Sequence, residues 1–265
     1  MAFLTPVFQV WNKSFKNSKT TQIFAKKLTS FLSELKSFLN SESSELSAFA
    51  FDDAFVWFRN LGFLKDDAFN NAVAEYSNDP IVMSKIWRIW IISSLLASVS
   101  QRDGDIVDIG TYDGKSFSIA LRYALTTKNS VVNKHFSILL YDAFENPPDE
   151  ARKSNHGKEL FKYVCDLFQD YSYVLPVKGY VPASCFGTQS KQIKWAQIDL
   201  NSAEYDCQAF NYVLPRLTKG AIVIFDDYGF ARYKSTQDNL NKIIKNNNLN
   251  PIIELPTGQG LYIHE

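Results

Sequence analysis

Neither sign of charge is in excess in this chain. Its 28 lysines and arginines are matched by 28 aspartates and glutamates, so it lacks the global field that a nucleic-acid binder uses. Cysteine is scarce, and Cys165, Cys185 and Cys207 form no CxxC and no Cys-His ligand spacing. That argues against a disulfide framework or a zinc site and for reduced thiols in a cytoplasmic setting. A continuous apolar stretch and a small-residue cleavage site are missing from MAFLTPVFQVWNKSFKNSK at the start. The most apolar window, residues 81–100, is interrupted by Lys85 and Arg88 and falls short of a membrane span. The expectation is a soluble protein with no nucleic-acid and no membrane partner, and 265 residues suffice for one large core with an extension.

What is present divides near residue 80. Residues 1–80 read as a helical extension, a lid or an oligomerisation element. Phe24, Leu28, Phe31, Leu35 and Phe38 recur at steps of four and three, the seam of an amphipathic helix. That stripe suits docking on the protein's own core or on a second copy, which makes a homodimer or higher homo-oligomer plausible. Lys13, Lys16, Lys19, Lys26 and Lys27 also suit a membrane-surface helix. NSESSE (40–45) reads as a break with an N-cap, and the Phe-rich AFAFDDAFVWFRNLGFL (48–64) as helix.

From residue 81 to 265 the pattern alternates. A helix over 82–99 leads to the apolar run DIVDIG (105–110), and a helix follows from Ser116. Next come SILLYD (137–142), a helix around 157–169, YVLPVKG (173–179), IKWAQIDL (193–200), a helix near 203–217 and AIVIFDD (221–227). A helix over 234–246 and two strands flanking PTGQG complete the chain. Strands separated by helices predict an α/β fold: a Rossmann-like, mostly parallel seven-stranded sheet with an antiparallel C-terminal edge. Ligands of such sheets bind beyond the carboxyl ends of the strands.

The strand ends are therefore the candidate site. VDIGTYDGKS (107–116) sets Asp108, Gly110, Thr111 and Gly114 in a turn, with Ser116 opening a helix. Glycines there let the backbone turn tightly beside a ligand, and the helix N terminus offers free amides. A plain strand-to-helix turn is the simpler reading of the same residues. A nicotinamide site would show G-x-G-x-x-G, whereas this turn is D-x-G-x-x-x-G. In position and spacing it resembles the first motif of S-adenosylmethionine-dependent methyltransferases. Asp142, ending the next strand, can accept hydrogen bonds from both ribose hydroxyls of an adenosine ligand, a role shared by nicotinamide and S-adenosylmethionine sites. Phe144 can pack on an adenine ring or in the core, and Gly179 and Tyr180 stand at the same rim. Asp199 ends the fourth strand and Asp226 and Asp227 the fifth. Neighbouring strands lie about 4.8 Å apart, so three such carboxylates can converge, and they then repel unless a cation or protons compensate them. A hard divalent ion is the economical solution; a turn cap at Asp226 with Asp227 solvated is the alternative.

The segment WAQIDLNSAEYDCQAFNYVLPRLTKGAIVIFDDYG (195–229) resembles the macrocin O-methyltransferase family, as do WRIW, YDAFENPPD, VKGYV and LPTGQGLYI. The likeness spans about residues 84–264 and is looser over 1–80. It implies transfer of a methyl group from S-adenosylmethionine to a hydroxyl of a small molecule, often a deoxysugar of a natural product. A divalent cation, typically Mg²⁺, is implied at the acceptor. Carried over by position, Asp199, Asp226 and Asp227 would hold the metal, and Asp108, Gly110, Gly114 and Asp142 would line the cofactor. Asp199 is the first choice for assisting proton removal, with His156 in SNHGKEL as the alternative base. Two positions depart from the family: Asn201 stands where a second aspartate is common and Ala203 where a tyrosine is. They motivate one rival reading, a non-catalytic scaffold that keeps the fold. The missing middle glycine disfavours the other, a nicotinamide-dependent oxidoreductase.

Overall fold

The computed structural model describes residues 30, 48–51, 54–57, 61–127, 136–145, 159–181, 183–187 and 190–265. The amphipathic seam over 24–38, the NSESSE break and His156 lie outside these residues. Two compact units divide the chain between Trp90 and Ile91.

In the first unit, β1 (Ala48–Phe51) and β2 (Ala54–Trp57) pair antiparallel, Ala48 opposite Trp57 and Phe51 opposite Ala54. This corrects the helix expected over 48–64. Two four-residue runs of Phe, Val, Trp and Ala separated by two residues have hairpin spacing, and their aromatic and β-branched residues favour extended backbone. A 3-10 turn over Gly62–Lys65 precedes α1 (Asp67–Val73), which Asp66 caps by accepting the Phe69 N–H at 2.8 Å. Asp79 likewise accepts from Ile81 and Val82 at the start of α2 (Pro80–Ser84), with Pro80 in the first turn where no amide is needed. The rings of Phe63, Phe69, Trp87 and Trp90 pack together, Phe63 to Trp87 at 5.3 Å and Phe69 to Trp90 at 5.1 Å. WRIW is thus a core element of this unit.

The helix α3 (Ile86–Val99) crosses the division. Beyond it the second unit runs β3 (Asp105–Ile109), α4 (Lys115–Thr127), β4 (Ile138–Asp142), α5 (Leu160–Leu167), β5 (Val174–Lys178) and α6 (Ala183–Gly187). It continues with β6 (Ile193–Ile198), α7 (Ala203–Val213), β7 (Leu217–Phe225), α8 (Lys234–Asn246), β8 (Ile253–Glu254) and β9 (Gly260–Ile263). The sheet order is β5-β4-β3-β6-β7-β9-β8. The first five strands are parallel; β9 pairs antiparallel with both β7 and β8. The expected Rossmann-like sheet is therefore present, with its chain reversal between β3 and β6.

Register assigns the faces. Val107, Ile109, Leu139, Tyr141, Ala196, Ile198, Val223 and Phe225 share one side and pack with Ala209, Phe210 and Val213 of α7 and Leu240 and Ile244 of α8. Asp108, Gln197 and Ile224 are direct cross-strand partners on the other side. There Trp195 meets Phe117 of α4 at 5.9 Å between ring centres.

The amino ends of the strands are closed by Lys194, whose side chain is fully buried. Its Nζ donates to the carbonyls of Ser100 (3.2 Å) and Arg102 (2.8 Å), just past α3, and sits 4.1 Å from the Phe136 ring centre. A cavity of about 580 Å³ lined by Arg102, Asp103, Asp105, Phe136 and Lys191 opens at this end, away from the carboxyl ends where the site is sought. Burial lowers the Lys194 pKa to about 8, against the pull of Asp103 and Asp105. Between pH 8 and about 10.5 the folded chain has released this proton while the unfolded chain still holds it, so the lysine makes stability rise with pH there. Urea unfolding from pH 7 to 10 should show the wild type gaining on Lys194→Met by on the order of 2–3 kcal/mol across that window. Parallel curves would mean the ammonium is not desolvated.

Candidate active site

The rim beyond the carboxyl ends begins at Gly110. With φ +92°, its Cα faces the Asp199 backbone so closely that a Cβ would lie 1.9 Å from the Asp199 carbonyl oxygen. The Asp199 N–H in turn donates to Ile109 at 2.8 Å. Gly114 (φ +70°) brings the start of α4 against Phe168, whose ring a Cβ would meet at 2.9 Å. Thr111 is buried and donates to the Asp108 carbonyl at 3.1 Å; Lys115, not Ser116, opens α4, its N–H bonded to Asp113 at 3.1 Å.

Asp142 ties this turn to its own strand end. One carboxylate oxygen accepts the Tyr112 N–H at 2.9 Å and the other the Phe144 N–H at 2.7 Å. Its carbonyl accepts from Gly179 at 2.9 Å, which brings the third strand end alongside. Tyr112 and Phe144 are both left-handed, φ 53° and 50°, and non-glycine residues hold that conformation only where neighbours over-determine it. The Phe144 ring is buried, 5.2 Å from Phe161, while Tyr180 is exposed on the rim.

Asp108 lies below Gly110 on the same face, 2 % exposed, and its Oδ1 has no hydrogen-bond partner. Burial pushes its carboxyl up to about 7 against a hydrogen bond from Thr111, and the charges of Asp142 and Asp226 push the same way. Its cross-strand partner Gln197 also buries an acceptor oxygen, Oε1, that lacks a donor. Two such neighbouring acceptors fit a ligand that brings N–H or O–H groups.

Asp199, Asp226 and Asp227 are not brought into a metal-holding cluster. Among the described residues no group of three or more His, Cys, Asp and Glu side chains is arranged to hold a metal ion. Asp226 and Asp227 follow the end of β7 in a turn, where the Asp226 charge acts on Asp108 and the Asp227 charge on Asp206 of α7. Each acid has other partners: Asp226 accepts from the buried Gln259 amide at 3.2 Å, and Asp199 from the Asn201 amide at 3.0 Å. Asp206 accepts the Leu200 N–H at 3.0 Å and is raised to about 7 by burial, with the Asp227 charge adding to it.

Sequence reasoning missed Gln259, Gln197, Asp206 and Tyr233. Gln259 had a signal, being a polar residue between glycines at the start of an apolar edge strand. Thr257 donates to its Oε1 at 3.0 Å, which turns the amide toward Asp226. Asp206 had none, because an aspartate in the first turn of a helix ordinarily reads as a solvated dipole partner.

A family described as a methyltransferase domain, Methyltransf_24, matches residues 107–228. Among solved structures the chain is similar to the O-methyltransferase NovP, at 17% identity over 69% of this chain and 81% of that one, TM-score 0.56. It is similar also to CalS11, a TDP-rhamnose 3'-O-methyltransferase of calicheamicin biosynthesis, at 17% identity over 76% and 89%, TM-score 0.53. An O-methyltransferase from Bacillus cereus in complex with SAH matches at 11% identity over 76% and 91%, TM-score 0.51. None of the curated proteins matches the chain in sequence. Fold and matched segment agree: the second unit of this chain has the Rossmann-like fold of these O-methyltransferases, and its residues 107–228 are similar to the methyltransferase-domain model.

Proposed function

We propose that the protein is an S-adenosylmethionine-dependent O-methyltransferase acting on a hydroxyl of a small molecule, a sugar or glycosylated natural product, along the lines of the macrocin O-methyltransferases. The observation that carries this reading is the clamp at Asp142, where one carboxylate joins two left-handed loops at the carboxyl ends of β3 and β4. A carboxylate oxygen has more than one lone-pair site, so a ribose hydroxyl can donate to it beside a backbone N–H. The unpartnered, buried oxygen of Asp108 fits the same ligand.

S-adenosylmethionine, when bound, supplies a methyl group on a sulfonium, whose C–S electron pair stays on sulfur as the methyl leaves. Asp142 and the Gly110 turn hold the donor side. Asp199, across the β3–β6 junction, receives the proton that the acceptor hydroxyl gives up as its oxygen bonds to carbon. Positioning the two sides on neighbouring strand ends converts a bimolecular encounter into a reaction within one complex.

A divalent cation, Mg²⁺ above all, belongs to the finer reading drawn from the resemblance, with Asp199, Asp226 and Asp227 as its acids. Hard carboxylate oxygens suit it. The arrangement does not, since among the described residues no group of three or more His, Cys, Asp and Glu side chains is arranged to hold a metal ion, and Asp199 and Asp226 accept from amides. Thermal shift and isotope-labelled methyl transfer to a nucleotide-linked deoxysugar test both levels. S-adenosylmethionine at a hundredfold excess over Kd should stabilise the chain by about 2.7 kcal/mol; no stabilisation would sink the methyl-donor reading. Turnover unchanged in excess EDTA and in Asp227→Ala would remove the cation. Stabilisation without transfer to any hydroxyl acceptor would favour the scaffold.

A further inference from the structure

We infer that Asn201 is a positioning residue for Asp199, with Tyr233 as its brace. This rests on the reading above only in giving Asp199 a part in the reaction; the side-chain chain itself stands on geometry. The Asn201 amide nitrogen donates to Asp199 Oδ1 at 3.0 Å, and its amide oxygen accepts from the Tyr233 hydroxyl. Tyr233 closes the 3-10 turn Ala231–Tyr233 beyond the Asp226-Asp227 doublet, and the Arg232 guanidinium lies 4.9 Å from its ring centre. Side chains from the loops after β6 and β7 are thereby joined in one line that ends on the Asp199 carboxylate.

The chemistry requires a carboxamide at this position. The group at 201 must donate toward Asp199 and accept from Tyr233, and only Asn or Gln offers both on one short planar group. An aspartate would set a second acceptor, with its charge, against Asp199. The backbone agrees: Asn201 has φ 55°, the left-handed conformation that asparagine tolerates better than other non-glycine residues. Ser202 then caps α7 through the Tyr205 N–H, so the residue after Asn201 is already fixed. Asn201 is therefore held from its backbone outward. Its amide selects which oxygen of Asp199 remains for the acceptor and prevents the carboxylate from rotating.

The same geometry accounts for a departure from the family pattern. An amide in place of a second carboxylate lowers the negative charge at this strand end and substitutes a fixed donor for the compensation that a closer pair of acids would need.

The test uses the full chain and two readouts. In nitrogen-labelled protein, the Asn201 side-chain amide resonances should shift in both Asp199→Ala and Tyr233→Phe, because each removes one of its hydrogen-bond partners. Resonances unmoved in both would overturn the inference whatever the protein's activity. Methyl transfer to a nucleotide-linked deoxysugar is the second readout. Asn201→Gly keeps the left-handed backbone and removes the amide, and its kcat should fall on the order of tenfold to a hundredfold with the KM for S-adenosylmethionine unchanged. Tyr233→Phe should fall in the same direction by less. Unchanged kcat in both variants, or equal losses in kcat and in donor affinity, would also overturn it. A wild type that transfers no methyl defeats the functional reading alone, and the amide resonances still decide the relay.

Discussion

Gly110→Ala will not give a stable folded protein. The added Cβ would stand 1.9 Å from the Asp199 carbonyl oxygen and 2.6 Å from its carbon, both backbone atoms of a neighbouring strand end with no flexible tip to swing aside. Alanine would in addition have to hold φ +92°, which costs on the order of 1–3 kcal/mol by itself. To relieve the contact, β3 and β6 must part at their carboxyl ends, and the Asp199 N–H to Ile109 bond of 2.8 Å would go with it. We expect a loss above about 4 kcal/mol, in the range where point changes become diagnostic. Circular-dichroism melting of Gly110→Ala beside wild type measures it. A melting curve within 3 °C of wild type would show that the two strand ends are not in contact.

Asp142→Ala should abolish measurable cofactor binding while leaving a folded domain. Two separate contributions add here. The Tyr112 and Phe144 amides lose their acceptors at 2.9 and 2.7 Å, each about 1–3 kcal/mol where water does not replace them. The proposed ribose acceptor disappears with the same atoms. Together they predict an affinity for S-adenosylhomocysteine at least about a hundredfold weaker, since every 1.4 kcal/mol is tenfold. Asp142→Asn separates the two: its amide oxygen satisfies one backbone N–H, while its NH₂ faces the other, so an intermediate loss is expected. Calorimetric titration of both variants checks the order. Equal, wild-type affinity in both would mean that Asp142 serves the loops and not the ligand.

The sheet was legible because its strands are apolar runs punctuated by glycine and aspartate, a pattern that only buried parallel strands sustain. The helix at 234–246 agrees with the structure to the residue, since its amphipathic period is uninterrupted. The hairpin at 48–57 was not legible: short Phe-rich runs satisfy helical and extended periods alike, and pairing decides between them. At the site, the residues that need special backbone, Gly110 and Gly114, stood out. So did the acids, because charge at the end of an apolar run is conspicuous. Their partners were hidden. Which neighbours the Asp227 charge acts on depends on how the turn after β7 folds, and a string of letters gives adjacency without direction. Carboxamides such as Asn201 and Gln259 are common on surfaces, and only their geometry distinguishes these two.

The junction where Gly110 abuts Asp199 has a consequence for how the domain can change. The proposed donor-side residues follow β3, β4 and β5 and the proposed acceptor-side residues β6 and β7, and the two sets meet where Gly110 abuts Asp199, where Asp108 pairs with Gln197, and where the Asp226 charge acts on Asp108. Substitutions away from that seam should therefore combine with nearly additive free energies, as distant independent sites do, and those on it should couple. Away from the seam, the half proposed to hold the acceptor is in that sense a replaceable module, free to drift toward new hydroxyl compounds while the half proposed to hold the methyl donor stays as it is.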